Sequence, residues 1–188
     1  MSKFTLTRLE IEGLLLIVPT RFGDERGYFA ETYRADAFRA FGITAEFVQE
    51  NQSFSARPGT VRGLHFQAPA AAQAKLVRAL RGALFDVAVD LRRGSPTFSR
   101  WCSARLSAAG GEQIFIPRGF AHGFCTLEPD TEVAYKIDAY YRPECEGGVA
   151  WDDPQIAIPW PVAPAEAILS ERDRKLPRLS DLDLPFTL

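Results

Sequence analysis

The sequence has few of the features that mark secreted, membrane-spanning or metal-binding proteins. It contains three cysteines in 188 residues, and no two of them share a CxxC spacing. Neither a disulfide framework nor a cysteine zinc site is therefore indicated, and reduced thiols are expected. No segment approaches the roughly 18 apolar residues that cross a bilayer, and no signal peptide is recognisable, so we expect a cytoplasmic protein without a membrane partner.

Histidine and net positive charge are also scarce. The two histidines, His65 and His122, lie far apart in the chain and form no HxH or HxxxH pair. Because transition-metal sites usually need three or four nitrogen, sulfur or carboxylate ligands, we expect no metal and no other cofactor. The formal net charge of −2 gives no general attraction for nucleic acid, but a few arginines can still hold the phosphates of a small ligand.

What the chain does contain is a succession of short apolar segments. Glycine, proline, asparagine and aspartate separate them at the roughly 8–12-residue spacing typical of β-sandwiches and barrels. Helix signals are confined to residues 35–42 and to a capping box from Ser170 to Asp173. We predict one domain over residues 1–188, mainly β, an antiparallel jelly-roll barrel or sandwich with a few short helices. The predicted strands are residues 14–18, 28–33, 45–51, 60–67, 74–80, 83–91, 100–107, 112–117, 121–127 and 132–141.

Side-chain alternation sorts the polar residues on these strands. Tyr135 has the same parity as Val133 and Ile137, which predicts that it faces the interior. Lys75 has the parity of Val77, which is an unusual position for a lysine. Two interpretations remain open for it, an inward lysine and an edge lysine whose ammonium reaches solvent.

The segment "TVRGLHFQ" (60–67) places a histidine and an arginine in one apolar strand. Arg62 and His65 have opposite parity, so a regular strand would direct them to opposite faces. Gly63 lies between them, and glycine inside a strand often marks a β-bulge. We therefore predict a bulge that brings both side chains to one cavity; if the strand is regular, one of the two is merely structural.

An inward histidine, lysine and tyrosine suit the removal of a proton next to a ketone. The neutral imidazole of His65 can act as a base, the ammonium of Lys75 can stabilise an enolate oxygen, and the phenol of Tyr135 can return a proton. Composition and alternation do not identify the ketone.

Nine ordered motifs between about Leu14 and Asp181 make the chain similar to the dTDP-4-dehydrorhamnose 3,5-epimerase family. The family consists of cupins, and "PRGFAH" (117–122) resembles the second cupin motif. Where metal-binding cupins have HxH, this chain has "HFQ" (65–67), in keeping with the expected absence of metal. The motifs are "FGDERGYFAETY", "FVQENQS", "VRGLHFQ", "QAKLV", "DVAVDLRRGSPTF", "IPRGFAHGF", "YKIDAYYRPECEGG", "WDDP" and "LSERD".

The resemblance implies epimerisation of dTDP-4-dehydro-6-deoxy-D-glucose at C3 and C5, on the path to dTDP-L-rhamnose. By matched motifs, His65 is the base, Asp173 orients its imidazole, Lys75 stabilises the enolate and Tyr135 reprotonates from the opposite face. Asp86 is a rival partner for His65, and Asp173 alternatively serves only the capping box.

The resemblance also implies a set of residues around the nucleotide sugar, with Tyr141 stacking on thymine unless it is only a surface aromatic. The family is typically a homodimer that exchanges N-terminal strands, so Arg26 and Glu31 are expected at the neighbouring subunit's site. The family usually has lysine at position 172 and often glycine at position 74, whereas this chain has Arg172 and Ala74. The binding set is Arg26, Glu31, Gln49, Asn51, Arg62, His122, Tyr141, Glu146 and Arg172.

Two other functions stay open at this point. A dTDP-4-dehydro-6-deoxyglucose 3-epimerase of another deoxysugar pathway would share nearly all of the motifs. A non-catalytic nucleotide-sugar binding cupin would be expected to lack one of His65, Lys75 and Tyr135, and all three are present.

Overall fold

Two antiparallel β-sheets packed against each other form the body of the structure, a computed structural model that describes residues 3–187. The six-stranded sheet has the order β1-β2-β10-β7-β12-β5, the five-stranded sheet has the order β13-β6-β11-β8-β9, and β3 pairs with β4 in a separate hairpin. The strands are β1 (Phe4–Arg8), β2 (Leu15–Pro19), β3 (Arg21–Asp24), β4 (Gly27–Ala30), β5 (Gln49–Ser55), β6 (Val61–Gln67), β7 (Lys75–Arg81), β8 (Ala83–Asp90), β9 (Trp101–Ser107), β10 (Gln113–Ile116), β11 (Phe120–Thr126), β12 (Thr131–Ile137) and β13 (Glu146–Gly148).

Short helical segments are few, as predicted. One α-helix, α1 (Ala35–Ala40), lies within the predicted residues 35–42. Four 3₁₀ turns follow, at Pro69–Ala71, Pro143–Cys145, Asp173–Lys175 and Leu179–Asp181. Within residues 3–187, no helix has the length and apolar character needed to cross a membrane. The mainly β, antiparallel fold class is confirmed.

The core between the two sheets follows from alternation along β8. Leu84 and Ala88 face the six-stranded sheet, where they pack in one cluster with Val77, Ile114 and Val133. All five residues are buried to 1% exposure or less. Burial of an aliphatic side chain of this size contributes about 1.5–3 kcal/mol. The same alternation places Asp86 between Leu84 and Ala88, facing the interior.

The C-terminal segment covers the other face of the five-stranded sheet. Val87 and Val89 of β8 pack there against Ile156, Leu184 and Phe186. Both faces of β8 are thus buried, which explains its nearly continuous apolar sequence. This covering segment also carries the residues around Asp173 back to the edge of the sheet.

Several predicted strand boundaries were wrong, for identifiable reasons. The strand predicted at 28–33 ends at Ala30 and is half of a hairpin whose other strand, β3, was not predicted. The strand predicted at 45–51 starts only at Gln49, because Phe47 packs beside α1. The strand predicted at 132–141 ends at Ile137, because the Asp138 carboxylate accepts a hydrogen bond from the Ala74 N–H at 2.7 Å. The short strands β1 and β13 were also missed.

Candidate active site

A cavity of about 710 Å³ opens at one end of the sandwich, between the two sheets. The strands β5, β7 and β12 line it from the six-stranded sheet, and β6, β11 and β13 line it from the five-stranded sheet. Most of the residues singled out from the sequence meet in this cavity. They are His65, Lys75, Tyr135 and Asp173 of the expected catalytic set, with Gln49, Asn51, Arg62, His122, Tyr141, Glu146 and Arg172 of the expected binding set.

The predicted bulge at Gly63 is present and brings Arg62 and His65 to the same cavity. His122 of β11 pairs with His65, and Phe124 pairs with Arg62, so three steps along β6 match two along β11. Gly63 has φ +122°, and a Cβ on it would lie 2.6 Å from the Cα of Gly123. Only glycine fits at a backbone approach this close, and the extra residue re-aims the side chains on either side of it. The Gly63–Leu64 peptide bond is cis.

His65 forms a hydrogen-bonded pair with Asp173. Its Nε2 lies 2.7 Å from Oδ1 of Asp173, whose side chain is buried in the C-terminal segment. The N–H of Asp173 donates in turn to Ser170 Oγ at 3.0 Å, which is half of the predicted capping box. Burial is the largest single influence and would raise the pKa of Asp173, but the hydrogen bond and charge of His65, together with hydrogen bonds from Gly63 and Ser170, outweigh it and lower this pKa. A carboxylate at Nε2 requires the hydrogen on that nitrogen, which leaves Nδ1 as the basic nitrogen.

Lys75 points into the cavity from the first residue of β7, so the inward interpretation is correct. Its side chain is half-buried beside Tyr135 and His122. Burial lowers the pKa of Lys75 to about 8, even though the negative charges of Asp86 and Glu146 act to raise it. An ammonium with so low a pKa is held where water solvates it poorly, and there it interacts strongly with any negative charge that develops nearby.

Tyr135 faces the cavity from β12, as its parity predicts. It lies between Val77 on β7 and Asn51 on β5 in the strand register. Burial raises the pKa of its phenol, and a hydrogen bond with Asn51 partly offsets that effect. The phenol therefore keeps its proton at neutral pH and is available as a proton donor.

The rival carboxylate, Asp86, has a different partner. Its Oδ2 lies 2.8 Å from Nε2 of His122, and Asp86 is completely buried. Both histidines thus line the cavity and each is paired with an aspartate, His65 with Asp173 at the cavity wall and His122 with Asp86 behind it.

A cluster at the mouth of the cavity joins four of the residues expected to bind. Oε2 of Glu146 accepts hydrogen bonds from the Tyr141 hydroxyl at 2.5 Å and from Nη1 of Arg172 at 2.6 Å. The Tyr141 N–H donates to Oε1 of Gln49 at 3.2 Å. Arg62 is held beside them, with Nε donating to Ser55 Oγ at 3.2 Å. Two guanidinium groups and one exposed aromatic ring therefore border the opening.

Arg26 and Glu31 are the two expected residues that do not line the cavity. Arg26 lies in the turn between β3 and β4, with its Nη2 2.5 Å from Oδ2 of Asp24 and 85% of its side chain exposed. Glu31 follows β4 and accepts a hydrogen bond from Lys3 Nζ at 3.1 Å. Neither residue is among those that line the cavity with the other eleven.

The cavity also contains polar residues that sequence reasoning missed. Ser53 follows Gln49 and Asn51 at period two on β5, so alternation along that strand could have identified it. Gln73 lies before β7 and donates from Nε2 to the Ala139 carbonyl at 3.0 Å; no sequence signal marks it. Among residues 3–187, no group of three or more His, Cys, Asp and Glu side chains is arranged to hold a metal ion.

Comparison with known proteins gives a consistent result. The family model for dTDP-4-dehydrorhamnose 3,5-epimerase matches residues 8–181. The chain is 52% identical to the dTDP-4-dehydrorhamnose 3,5-epimerase of Sinorhizobium fredii, over 95% of this chain and 91% of the relative. It is similar to the crystal structure of the Bacillus anthracis dTDP-4-dehydrorhamnose 3,5-epimerase with TDP and PPi bound, with 48% identity, a TM-score of 0.91, and 94% and 99% of the two chains covered. It is also similar to the crystal structure of the Legionella pneumophila dTDP-6-deoxy-D-glucose-3,5-epimerase in complex with dTDP-4-keto-L-rhamnose. The identity is 42% and the TM-score is 0.93, with 98% of this chain and 99% of that chain covered.

The close approach at Gly63 predicts a large effect of Gly63→Ala on stability. The added Cβ meets the backbone of Gly123 and the carbonyl of His122, at 2.6 and 2.8 Å. We expect a loss of about 1–2 kcal/mol for the positive φ and a further 1–3 kcal/mol for overpacking. Urea denaturation measures the difference in free energy of unfolding.

Gly42→Ala is the matched control for that variant. Gly42 also has a positive φ, of +91°, but nothing lies within 4 Å of its added Cβ. This variant is expected to show only the backbone cost of about 1–2 kcal/mol. Equal losses in the two variants would contradict the importance of the contact between Gly63 and Gly123.

Proposed function

This chain belongs to the dTDP-4-dehydrorhamnose 3,5-epimerase family, and we propose that it converts dTDP-4-dehydro-6-deoxy-D-glucose to dTDP-4-dehydro-L-rhamnose by inversion at C3 and C5. It is an isomerase that acts in dTDP-rhamnose biosynthesis. The observation that carries the proposal is the placement of the proton-transfer groups on opposite walls. His65 projects from the five-stranded sheet, whereas Tyr135 and Lys75 project from the six-stranded sheet, into one cavity.

The first step is removal of a proton next to the C4 ketone. Nδ1 of His65 takes the proton from C3 or C5, the electron pair of the broken C–H bond forms a C=C bond to C4, and the ketone becomes an enolate. The ammonium of Lys75 stabilises the negative oxygen, which is the kind of interaction that strengthens as charge develops. The Asp173 carboxylate orients the imidazole and stabilises the imidazolium that forms.

The second step decides the configuration. The Tyr135 phenol delivers a proton to the same carbon from the face opposite His65. The His65 imidazolium then releases its extra proton to solvent, and the Tyr135 phenolate takes a proton from solvent. A single base that returned its own proton would mostly restore the starting configuration. Inversion therefore requires groups on both faces of the ring, which the two walls of the cavity supply.

Charged and aromatic groups at the mouth suit the nucleotide. Arg62 and Arg172 have the planar guanidinium groups that match diphosphate oxygens, and the ring of Tyr141 stacks on the thymine. Gln49, Asn51, His122 and Glu146 supply hydrogen bonds to the sugar nucleotide. Arg172 and Glu146 form an ion pair of 2.6 Å. To bind the diphosphate, Arg172 must therefore either break this ion pair or contact Glu146 and the diphosphate at the same time.

Arg26 and Glu31 complete the site of a second subunit in a homodimer with exchanged strands. The hairpin that carries Arg26 exposes three large apolar side chains, Phe22, Tyr28 and Phe29, at 51%, 61% and 68%. Adjacent exposed aromatic side chains are typical of surfaces that another protein covers. A cytoplasmic location suits this enzyme, because all three cysteines are free thiols and cytosolic thiols are kept reduced.

Deuterium exchange tests the proposed reaction. When the protein is incubated with dTDP-4-dehydro-6-deoxy-D-glucose in heavy water, NMR should show deuterium at both C3 and C5. Label at C3 alone would identify a 3-epimerase, and label at neither carbon would identify a binding protein. His65→Ala should lose both exchanges, at a cost of at least ~10²-fold, while its dTDP affinity changes by only a few fold; unchanged exchange would remove His65 from the mechanism.

The pKa of Lys75 predicts an alkaline limit to activity. Since the ammonium is the active form, kcat/KM should fall above about pH 8, where Lys75 loses its proton, by roughly tenfold per pH unit. Lys75→Arg is the control, because a guanidinium does not titrate in this range. This variant should be slower but should lack the alkaline limb near pH 8. A wild-type profile that stays flat to pH 10 would contradict the role of Lys75.

Mixed dimers test the contribution of Arg26 from the partner subunit. Arg26→Ala and His65→Ala homodimers should each be impaired, since every site lacks one group. A heterodimer of the two variants has one site with both groups intact only if Arg26 acts across the interface. Random mixing should then restore about a quarter of the wild-type activity, because half of the dimers are mixed and each has one intact site. No restoration in purified, differently tagged heterodimers would contradict the exchange.

A further inference from the structure

The second His–Asp pair, His122 with Asp86, differs from the first in burial. The His122 side chain is 8% exposed and that of Asp86 is 0% exposed, whereas that of His65 is 30% exposed. The two imidazoles are direct cross-strand neighbours, since His122 pairs with His65 in the register of β6 and β11. Both side chains line the same cavity as Lys75. Three groups that can each carry a positive charge therefore share one partly desolvated space.

The surroundings of His122 favour its neutral form. Burial lowers the pKa of His122, and the positive charges of Lys75 and His65 lower it further, against the opposing effect of Asp86. When His65 accepts a proton from the substrate, a charged His122 beside it would repel the new imidazolium. A neutral His122 avoids this repulsion.

The contact with Asp86 then determines which nitrogen of His122 carries the hydrogen. Oδ2 of Asp86 lies 2.8 Å from Nε2, and a carboxylate can only accept, so Nε2 is the donor. In a neutral imidazole the other nitrogen has a lone pair. Nδ1 of His122 can therefore accept a hydrogen bond from a hydroxyl, but it cannot donate one to an enolate oxygen.

Asp86 has a second oxygen without a hydrogen-bond partner. Among the described residues, Oδ1 of Asp86 is buried and unpaired, which is costly for a carboxylate unless a positive charge is close. The Lys75 ammonium is near enough for the charge of Asp86 to raise its pKa. Glu146 on β13 acts in the same direction, while His122 contributes no charge in its neutral form. The other titratable side chains that line this cavity are His65, Tyr135, Tyr141, Arg62, Arg172 and Asp173.

We propose that Asp86 is a positioning residue that holds His122 as a neutral acceptor for a substrate hydroxyl and keeps Lys75 as the cation that meets the enolate oxygen. The two histidines thus have opposite tasks, since His65 changes its charge in each turnover and His122 does not. This inference rests on the proposed function for the identity of the substrate oxygens, but the state of His122 is a property of the protein without substrate.

Histidine-selective ¹⁵N NMR of the intact protein tests the state of His122. The chain has two histidines, so the spectrum contains two imidazoles, and His65→Ala assigns them. We expect His122 to show a protonated Nε2 and an unprotonated Nδ1 throughout pH 6–9. An imidazolium form of His122, or a hydrogen on Nδ1, in this range would overturn the proposal. The result does not depend on catalysis, so it stands even if the proposed reaction fails.

Asp86→Asn tests the charge separately from the hydrogen bond, because the amide oxygen can still accept from Nε2. Removing the negative charge lowers the pKa of Lys75 from its value of about 8, so the alkaline limb of kcat/KM should move to lower pH by about one unit, and kcat/KM at pH 8 should fall roughly fivefold. KM should change by only a few fold. An alkaline limb that stays at the wild-type pH would contradict the proposal that the charge of Asp86 keeps Lys75 protonated.

Asp90→Asn is the matched control for this variant. Asp90 is on the same strand and equally buried, but its carboxylate pairs with Arg92 at 2.7 Å and lies outside the cavity. Its loss should reduce stability without moving the pH profile. If Asp86→Asn does not fold, Asp86→Glu, which keeps the charge, should retain the alkaline limb of the wild type, and a displaced limb in that variant would count against the proposal. The wild-type deuterium exchange separates these outcomes from failure of the proposed reaction.

Discussion

The close contact between the backbones of Gly63 and Gly123 is the constraint on which the rest of the site depends. Without the extra residue at Gly63, alternation along β6 would direct Arg62 and His65 to opposite faces, and only one of them could reach the cavity. The contact leaves no space for a side chain at Gly63, because a Cβ there would lie 2.6 Å from the neighbouring Cα. A local departure from regular strand geometry therefore brings the proposed base and the proposed phosphate-binding arginine to one place.

The titratable groups of the site are divided between the two sheets. The five-stranded sheet carries both imidazoles, each bound through Nε2 to a buried carboxylate. The six-stranded sheet carries an ammonium whose pKa burial lowers to about 8 and a phenol whose pKa burial raises. Groups that accept a proton and groups that stabilise or return one thus lie on separate walls. This separation fits a reaction that removes and restores a proton on opposite faces of a ring.

The fold class and a few site residues could be predicted from local patterns in the sequence, whereas most of the binding residues came only from the resemblance to the family. Period-two alternation identified the long strands and the inward Tyr135, and the glycine at position 63 inside a strand predicted the β-bulge. Alternation could not decide the direction of Lys75 or choose between Asp86 and Asp173, because the first depends on strand order and the second on the path of the C-terminal segment. Asp173 was therefore preferred on the resemblance to the family alone. β13 was missed because a three-residue strand has no pattern of its own, and Gln73 because nothing local marks it.

The proposed mechanism requires that the two walls of the cavity contact opposite faces of one sugar ring. A crystal structure with an unreactive dTDP-sugar, such as dTDP-glucose, would reveal this arrangement. We expect the hexose ring to lie between the imidazole of His65 and the phenol of Tyr135, with the oxygen on C4 directed at Lys75. A ring that has both side chains on the same face, or that lies outside the cavity with only the nucleotide bound, would contradict it.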